Sequence, residues 1–184
     1  MENPMKSRSK KSGNRGTDLC LECGSPMRES TEAHKFTVTR KWAITIADAK
    51  VYACPKCGER EVSIHRPEAL ERTIATELIK KPALLSGDEV TFLRNCLAMK
   101  GRQLAKELGI QHETLSRYET GFYKMNPTVD RLIRAMVALW YLDRGSETFT
   151  AETAANIAMP DGEAKPLKMT VYFDPQGVWR RAAA

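Results

Sequence analysis

The chain has 184 residues, 42% hydrophobic and 28% charged, with a net charge of +6 and an isoelectric point near 9.1, which is the composition of a globular protein with a preference for an acidic partner such as nucleic acid. No apolar run approaches the roughly 18 residues that cross a bilayer, and the leading stretch MENPMKSRSKKSGNRGTD lacks the apolar segment of a secretory signal, so a cytoplasmic protein without membrane contact is expected. Five cysteines in such a chain argue against a disulfide framework and for a metal site.

Residues 1 to 18 carry Lys6, Arg8, Lys10, Lys11 and Arg15 and almost nothing apolar. Such a segment cannot bury enough surface to offset the entropy of ordering. It reads as a disordered basic tail, either simply solvated or acting as a sequence-independent phosphate-binding arm. From Leu19 to Arg60 the pattern is strand-like: Phe36 and Val38 alternate with threonines, Trp42, Ile44 and Ile46 follow, and Val51 with Tyr52 leads into Cys54. Short antiparallel strands are expected there. Pro67 then opens a connecting helix within residues 61 to 83, on which Leu70, Ile74 and Leu78 recur at helical spacing until Pro82 stops it.

Cys20, Cys23, Cys54 and Cys57 form two C-x2-C pairs separated by thirty residues, with Gly24 and Gly58 directly after them. Two intervening residues let both thiolates of a pair face one tetrahedral ion, and the glycine relieves the turn so that backbone amides reach the sulfurs. Four thiolates close the coordination sphere, so one Zn2+ per chain is expected in a structural role; an iron-sulfur cluster is the alternative. The ribbon shows few apolar residues, and metal is expected to supply most of its folding energy. Cys96 reads as a small core residue, and His34 and His65 read as surface residues because the metal is already satisfied.

The stretch from residue 84 to 144 is helical in pattern. Ser86 and Glu89 have the spacing of a capping box, and Val90, Leu93 and Leu97 put one apolar face on the first helix. A short helix with Leu104, Ala105 and Leu108 ends at Gly109, and another begins near Gln111. This is the sequence logic of two helices packed through a small residue and joined by a tight turn, the second helix entering the major groove. Leu104, Leu108, Ile110 and Leu115 are expected between the helices. Gln111, His112, Glu113, Thr114 and Arg117 project from the part that meets base edges.

Arg117 is the foremost candidate, because arginine can donate two parallel hydrogen bonds to guanine; a phosphate contact or a salt bridge is its alternative. Glu113 either accepts from cytosine or orients Arg117 one turn later. Lys124 is placed like a phosphate anchor or is a solvated loop lysine, and Tyr118 and Trp140 read as core. Pro127 opens a long helix with Val129, Leu132, Ile133, Met136, Val137, Trp140 and Tyr141 on more than one face, so that part of this surface is expected to lie exposed as a homodimer interface. Residues 168 to 180 read as a β-hairpin turning at Asp174 to Gly177, which either extends the chain from residue 145 to 184 as a separate feature or folds back over that helix.

The string LSRYETG is similar to the S-R-[YW]-E-x-G signature of Cro/repressor-type helix-turn-helix proteins of the XRE family. The order of parts, a YgiT-type zinc ribbon, a connecting helix and then this domain, resembles the MqsA-type antitoxins of bacterial type II toxin-antitoxin systems over about residues 19 to 143. The resemblance implies a non-enzymatic repressor that dimerises on a palindromic double-stranded operator and offers its ribbon to a toxin, with the four cysteines as zinc ligands and Arg117 reading a base. Gly101 departs from the pattern, standing where such domains place a polar phosphate-holding residue, and Glu113 stands where a neutral base-reading side chain is usual. The expected architecture is two small domains: a β zinc ribbon over residues 19 to 60 and an all-α, lambda-repressor-like helix-turn-helix domain over 84 to 144, followed by the short hairpin. A free-standing regulator of phage or mobile-element origin and a zinc-ribbon interaction module are the other readings.

Overall fold

The computed structural model describes residues 19–145, 150, 157 and 162–183. The basic tail expected over residues 1 to 18 lies outside the described residues. A long antiparallel hairpin comes first, β1 (Arg28–Thr37) and β2 (Ala43–Ala53), followed by β3 (Arg60–Ser63). Five helices succeed it: α1 (Pro67–Lys80), α2 (Gly87–Cys96), α3 (Gly101–Glu107), α4 (His112–Glu119) and α5 (Pro127–Asp143). The chain closes with β4 (Thr170–Phe173) and β5 (Trp179–Arg181).

β2 organises one five-stranded sheet. β1 covers one of its edges from Thr37↔Ala43 to Arg28↔Ala53. The other edge is shared: β4 pairs in parallel at Thr45↔Thr170 and Ile46↔Val171, and β3 pairs antiparallel from Lys50↔Ser63 to Ala53↔Arg60. Between these partners the Asp48 carboxylate accepts the Phe173 N–H at 3.3 Å. The expected hairpin at the carboxy terminus is present, and it completes the sheet of the amino-terminal part. Its first strand, β4, pairs with β2 on one side and with β5 on the other, so the alternative that it folds back over the long helix is not what this chain does.

Strand alternation carries a phase change. Trp42, Ile44 and Ile46 are buried, but so are Ala49 and Val51, which stand at the opposite parity. The register passes from Glu32↔Ala49 to His34↔Ile46, so β2 spends one more residue there than β1. This bulge rotates the second half of β2 and returns its apolar residues to the same face.

That face packs on α1 through Leu70, Ile74, Leu78 and Ile79 and on α2 through Val90, Phe92 and Leu93, all buried in one cluster with the sheet residues. Trp42 meets Phe92 edge to face, with centroids 5.7 Å apart. The apolar core runs without a break across residues 83 and 84. This corrects the expectation that the ribbon has little apolar support: Val38, Trp42, Ile44, Ile46 and Val51 are its contribution to the common core, and Cys20, Cys23 and Cys54 form a separate small cluster with Met27.

The joint between α1 and α2 is held by buried charge. Lys81 Nζ lies 2.6 Å from Glu89 Oε2 and also donates to the Leu84 carbonyl, while Glu89 accepts from Ser86 N and, across the molecule, from Leu167 N at 2.7 Å. Trp42 Nε1 donates to the Leu167 carbonyl at 2.8 Å. One residue of the segment leading into β4 thus fastens both Trp42, just before β2, and α2.

A second correction concerns α5. Ile133, Val137 and Tyr141, part of the surface expected to lie exposed, are buried, and Met136 and Trp140 are half-buried. The exposed apolar residues of α5 are Leu132 and Leu139, at 42% and 61% exposure. Burial of the first set follows from α5 packing on α1 and α2 together, which needs a wider apolar stripe than one neighbour would.

Candidate metal centre and nucleic-acid interface

The two cysteine pairs sit on equivalent turns. Gly24 N donates to the Cys20 carbonyl at 2.8 Å and Gly58 N to the Cys54 carbonyl at 3.0 Å. Each glycine has positive φ, 68° and 79°, with nothing near the position a Cβ would take, so backbone conformation and not space demands glycine. The chain then returns: Cys20 N donates to Ser25 O and Cys54 N to Glu59 O.

These turns bring Cys20, Cys23, Cys54 and Cys57 together, their sulfurs all within 4.8 Å of one another. Cys20 and Cys57 Sγ are 3.5 Å apart, Cys23 and Cys54 Sγ 3.4 Å. A zinc tetrahedron with bonds of about 2.3 Å has edges of about 3.8 Å, so the spacing fits a zinc ion with a small expansion. Hydrogen bonds from the Ser25 hydroxyl and amide hold the Cys23 thiol down at about 6, which favours the thiolate a metal needs. Cys20 and Cys54 are buried, Cys23 is half-buried and Cys57 is exposed. Four cysteines lie close enough to bind a metal ion, consistent with zinc. Bound there, zinc would cross-link the turn before β1 to the turn between β2 and β3.

The helical pair forms at the other end of the chain of packing. Leu104, Ala105, Leu108 and Leu115 are buried between α3 and its neighbours and Ile110 packs at the margin, as the spacing predicts. Gly109, with φ 66°, turns the chain between the helices. Gln111 is the N-cap of α4. Gln111, His112, Glu113 and Arg117 are exposed, Thr114 is half-buried, and Lys124 is exposed in the loop before α5. Tyr118 is half-buried against the core.

Gly101 opens α3, and a Cβ added there would stand 3.3 Å from His112 Nε2. The absent side chain is therefore matched by an imidazole lying over its place. No ion pair joins Glu113 to Arg117 among the described residues; the Arg117 guanidinium instead donates from Nη1 to the Tyr123 hydroxyl at 2.6 Å.

Two features of this site went unread in the sequence. Arg94 on α2 pairs with Glu119 at the end of α4, Nε to Oε1 2.6 Å, and donates to the Met99 carbonyl at 3.0 Å. Gly87 lies against the end of α4, where a Cβ would come within 2.3 Å of the Glu119 carbonyl oxygen. Arg94 and Glu119 are 25 residues apart, so no helical spacing couples them. Gly87 looks in sequence like an ordinary residue after an N-cap.

Residues 93–139 match a family model described as helix-turn-helix, and this segment holds the last turn of α2, all of α3 and α4, and most of α5. Domains of this family are typically non-enzymatic DNA-binding regulators, and the match supports a DNA-binding transcriptional regulator that engages double-stranded DNA. Comparison with curated proteins and with solved structures finds no match for the chain. No helix among the described residues is long and apolar enough to cross a membrane.

Proposed function

We propose that the chain is a sequence-specific transcriptional repressor that reads DNA through α4 and autoregulates as the antitoxin of a type II toxin-antitoxin pair. The observation that carries the DNA-reading half is the exposed row Gln111, His112, Glu113 and Arg117 on the second helix of a matched helix-turn-helix segment. Gln111 to Glu113 would meet base edges, Arg117 would donate to a guanine, and Lys124 would hold a phosphate beside the reading helix. A homodimer on a palindromic operator supplies the discrimination that a single unit lacks.

The antitoxin reading rests on the resemblance to MqsA-type proteins and on the ribbon surface. Leu19 and Leu21 flank a metal cysteine at 57% and 62% exposure, which suits a protein partner better than solvent. Footprinting on the DNA upstream of the gene tests the repressor: a protected palindrome supports it and uniform, salt-sensitive coating refutes it. Co-purification of the protein encoded by the neighbouring reading frame, lost with Leu21→Glu, tests the antitoxin role.

A further inference from the structure

We propose that Tyr123 is a positioning residue that holds Arg117 for base reading, so that discrimination at the base read from α4 depends on a loop residue outside the helix pair; this rests on the reading of α4 given above. The backbone brings the two together. Gly121 leaves α4 with φ 75°, and the next two amides, Phe122 N and Tyr123 N, both donate to the Arg117 carbonyl at 2.9 and 3.2 Å. The loop is thereby folded back against the residue that faces DNA.

From that position one ring makes two contacts with one guanidinium. Arg117 Cζ lies 4.9 Å from the centroid of the Tyr123 ring, and Nη1 donates to the Tyr123 hydroxyl at 2.6 Å. Phe122 backs the tyrosine, with ring centroids 5.4 Å apart. An arginine on an open helix surface samples many rotamers, and confining it at the moment of binding costs entropy. Here the confinement is already present in the free chain.

The nitrogen that Tyr123 engages decides which edge reads. A guanidinium offers an end-on fork, Nη1 with Nη2, and a side-on fork, Nε with Nη2. Tyr123 occupies Nη1 and leaves the side-on fork intact, still two parallel donors for guanine O6 and N7. The tyrosine thus fixes the approach of Arg117 without removing its capacity for a bidentate contact.

The test uses full-length protein, Tyr123→Phe, Tyr123→Ala and Arg117→Ala, with duplexes selected by the wild type from a random pool. Preference for the base read by Arg117 should fall about threefold to tenfold in Tyr123→Ala. Tyr123→Phe should be intermediate, affinity for random duplex and melting temperature should be unchanged, and Tyr123→Ala should have no further effect in the Arg117→Ala background. In the free protein, the Arg117 Nη1 signal in 15N NMR should be distinct and slow to exchange, and Tyr123→Ala should merge it with the other exposed arginines. An Arg117 signal indifferent to Tyr123→Ala, or a wild type and Tyr123→Ala that discriminate equally well, overturns the proposal. A wild type that shows no preference over random duplex overturns the reading of α4 itself, and so is told apart from failure of the tyrosine's role alone.

Discussion

Arg134 and Asp130 stand one turn apart on α5 with both side chains fully buried, Nε to Oδ1 2.6 Å. The same guanidinium donates to the carbonyls of Ile79, Lys81 and Ala83, and Asp130 Oδ2 accepts Leu85 N at 2.6 Å. A pair at this spacing usually sits on a helix surface. Here it satisfies carbonyls at the end of α1 and the backbone of the segment between α1 and α2, where the helical ladder has run out.

Removing one partner leaves a buried charge and several orphaned carbonyls. Arg134→Met should lower the unfolding free energy by about 3 to 5 kcal/mol, whereas exposed Arg131→Met should change it by less than about 0.5 kcal/mol. Urea unfolding of the two variants measures the difference.

Ending the chain at Arg144 should destabilise the sheet, because it removes β4 from β2 and takes Leu167 from both Glu89 and Trp42. Self-association is therefore better tested in the full-length chain. If the exposed Leu132 and Leu139 face of α5 joins two copies, Leu139→Glu should convert a dimer to a monomer in sedimentation without loss of helicity. A dimer that survives this change places the interface elsewhere.

The metal should be one zinc per chain by elemental analysis, absent in Cys54→Ser. Because the cysteines form their own cluster apart from the main core, chelation should abolish hydrogen-exchange protection in the turns around residues 20 to 25 and 54 to 59. Protection in α1, α2 and α5 should survive. Collapse of the whole chain on chelation would show that the sheet cannot hold its edge without the ion.

On DNA, Arg117→Ala should cost about 1 to 3 kcal/mol on the selected operator and relax one base position. Lys124→Ala should weaken all sequences alike and flatten the salt dependence of binding. Equal loss on specific and random duplex would reassign Arg117 to a phosphate.

Thiol chemistry should separate the fifth cysteine from the other four. Burial, with the Glu71 carboxylate beside it, pushes the Cys96 thiol well above its usual range, so in the folded chain at neutral pH it should resist alkylation. Cys23, whose thiol is held down at about 6, should be modified as soon as a chelator is present, and mass spectrometry of the alkylated peptides reads the order.

The local signals in this chain were those a reader could use without the fold. Pro67 and Pro127 at helix starts, Gly109 at the turn and the paired C-x2-C-G units act within a few residues, so composition and spacing alone marked the helices, the hairpin at Asp174 to Gly177 and the metal-binding chemistry. Tertiary structure decided what those parts are joined to. The pairing of Thr45 with Thr170, the bulge that puts both Ile46 and Val51 on the core face, the burial of Arg134 and Asp130, and the seat of Tyr123 on Arg117 depend on neighbours brought together by packing or on a loop's path. Contacts between distant segments leave no period in the sequence, and a polar residue looks the same there whether its partner is water or a buried carbonyl.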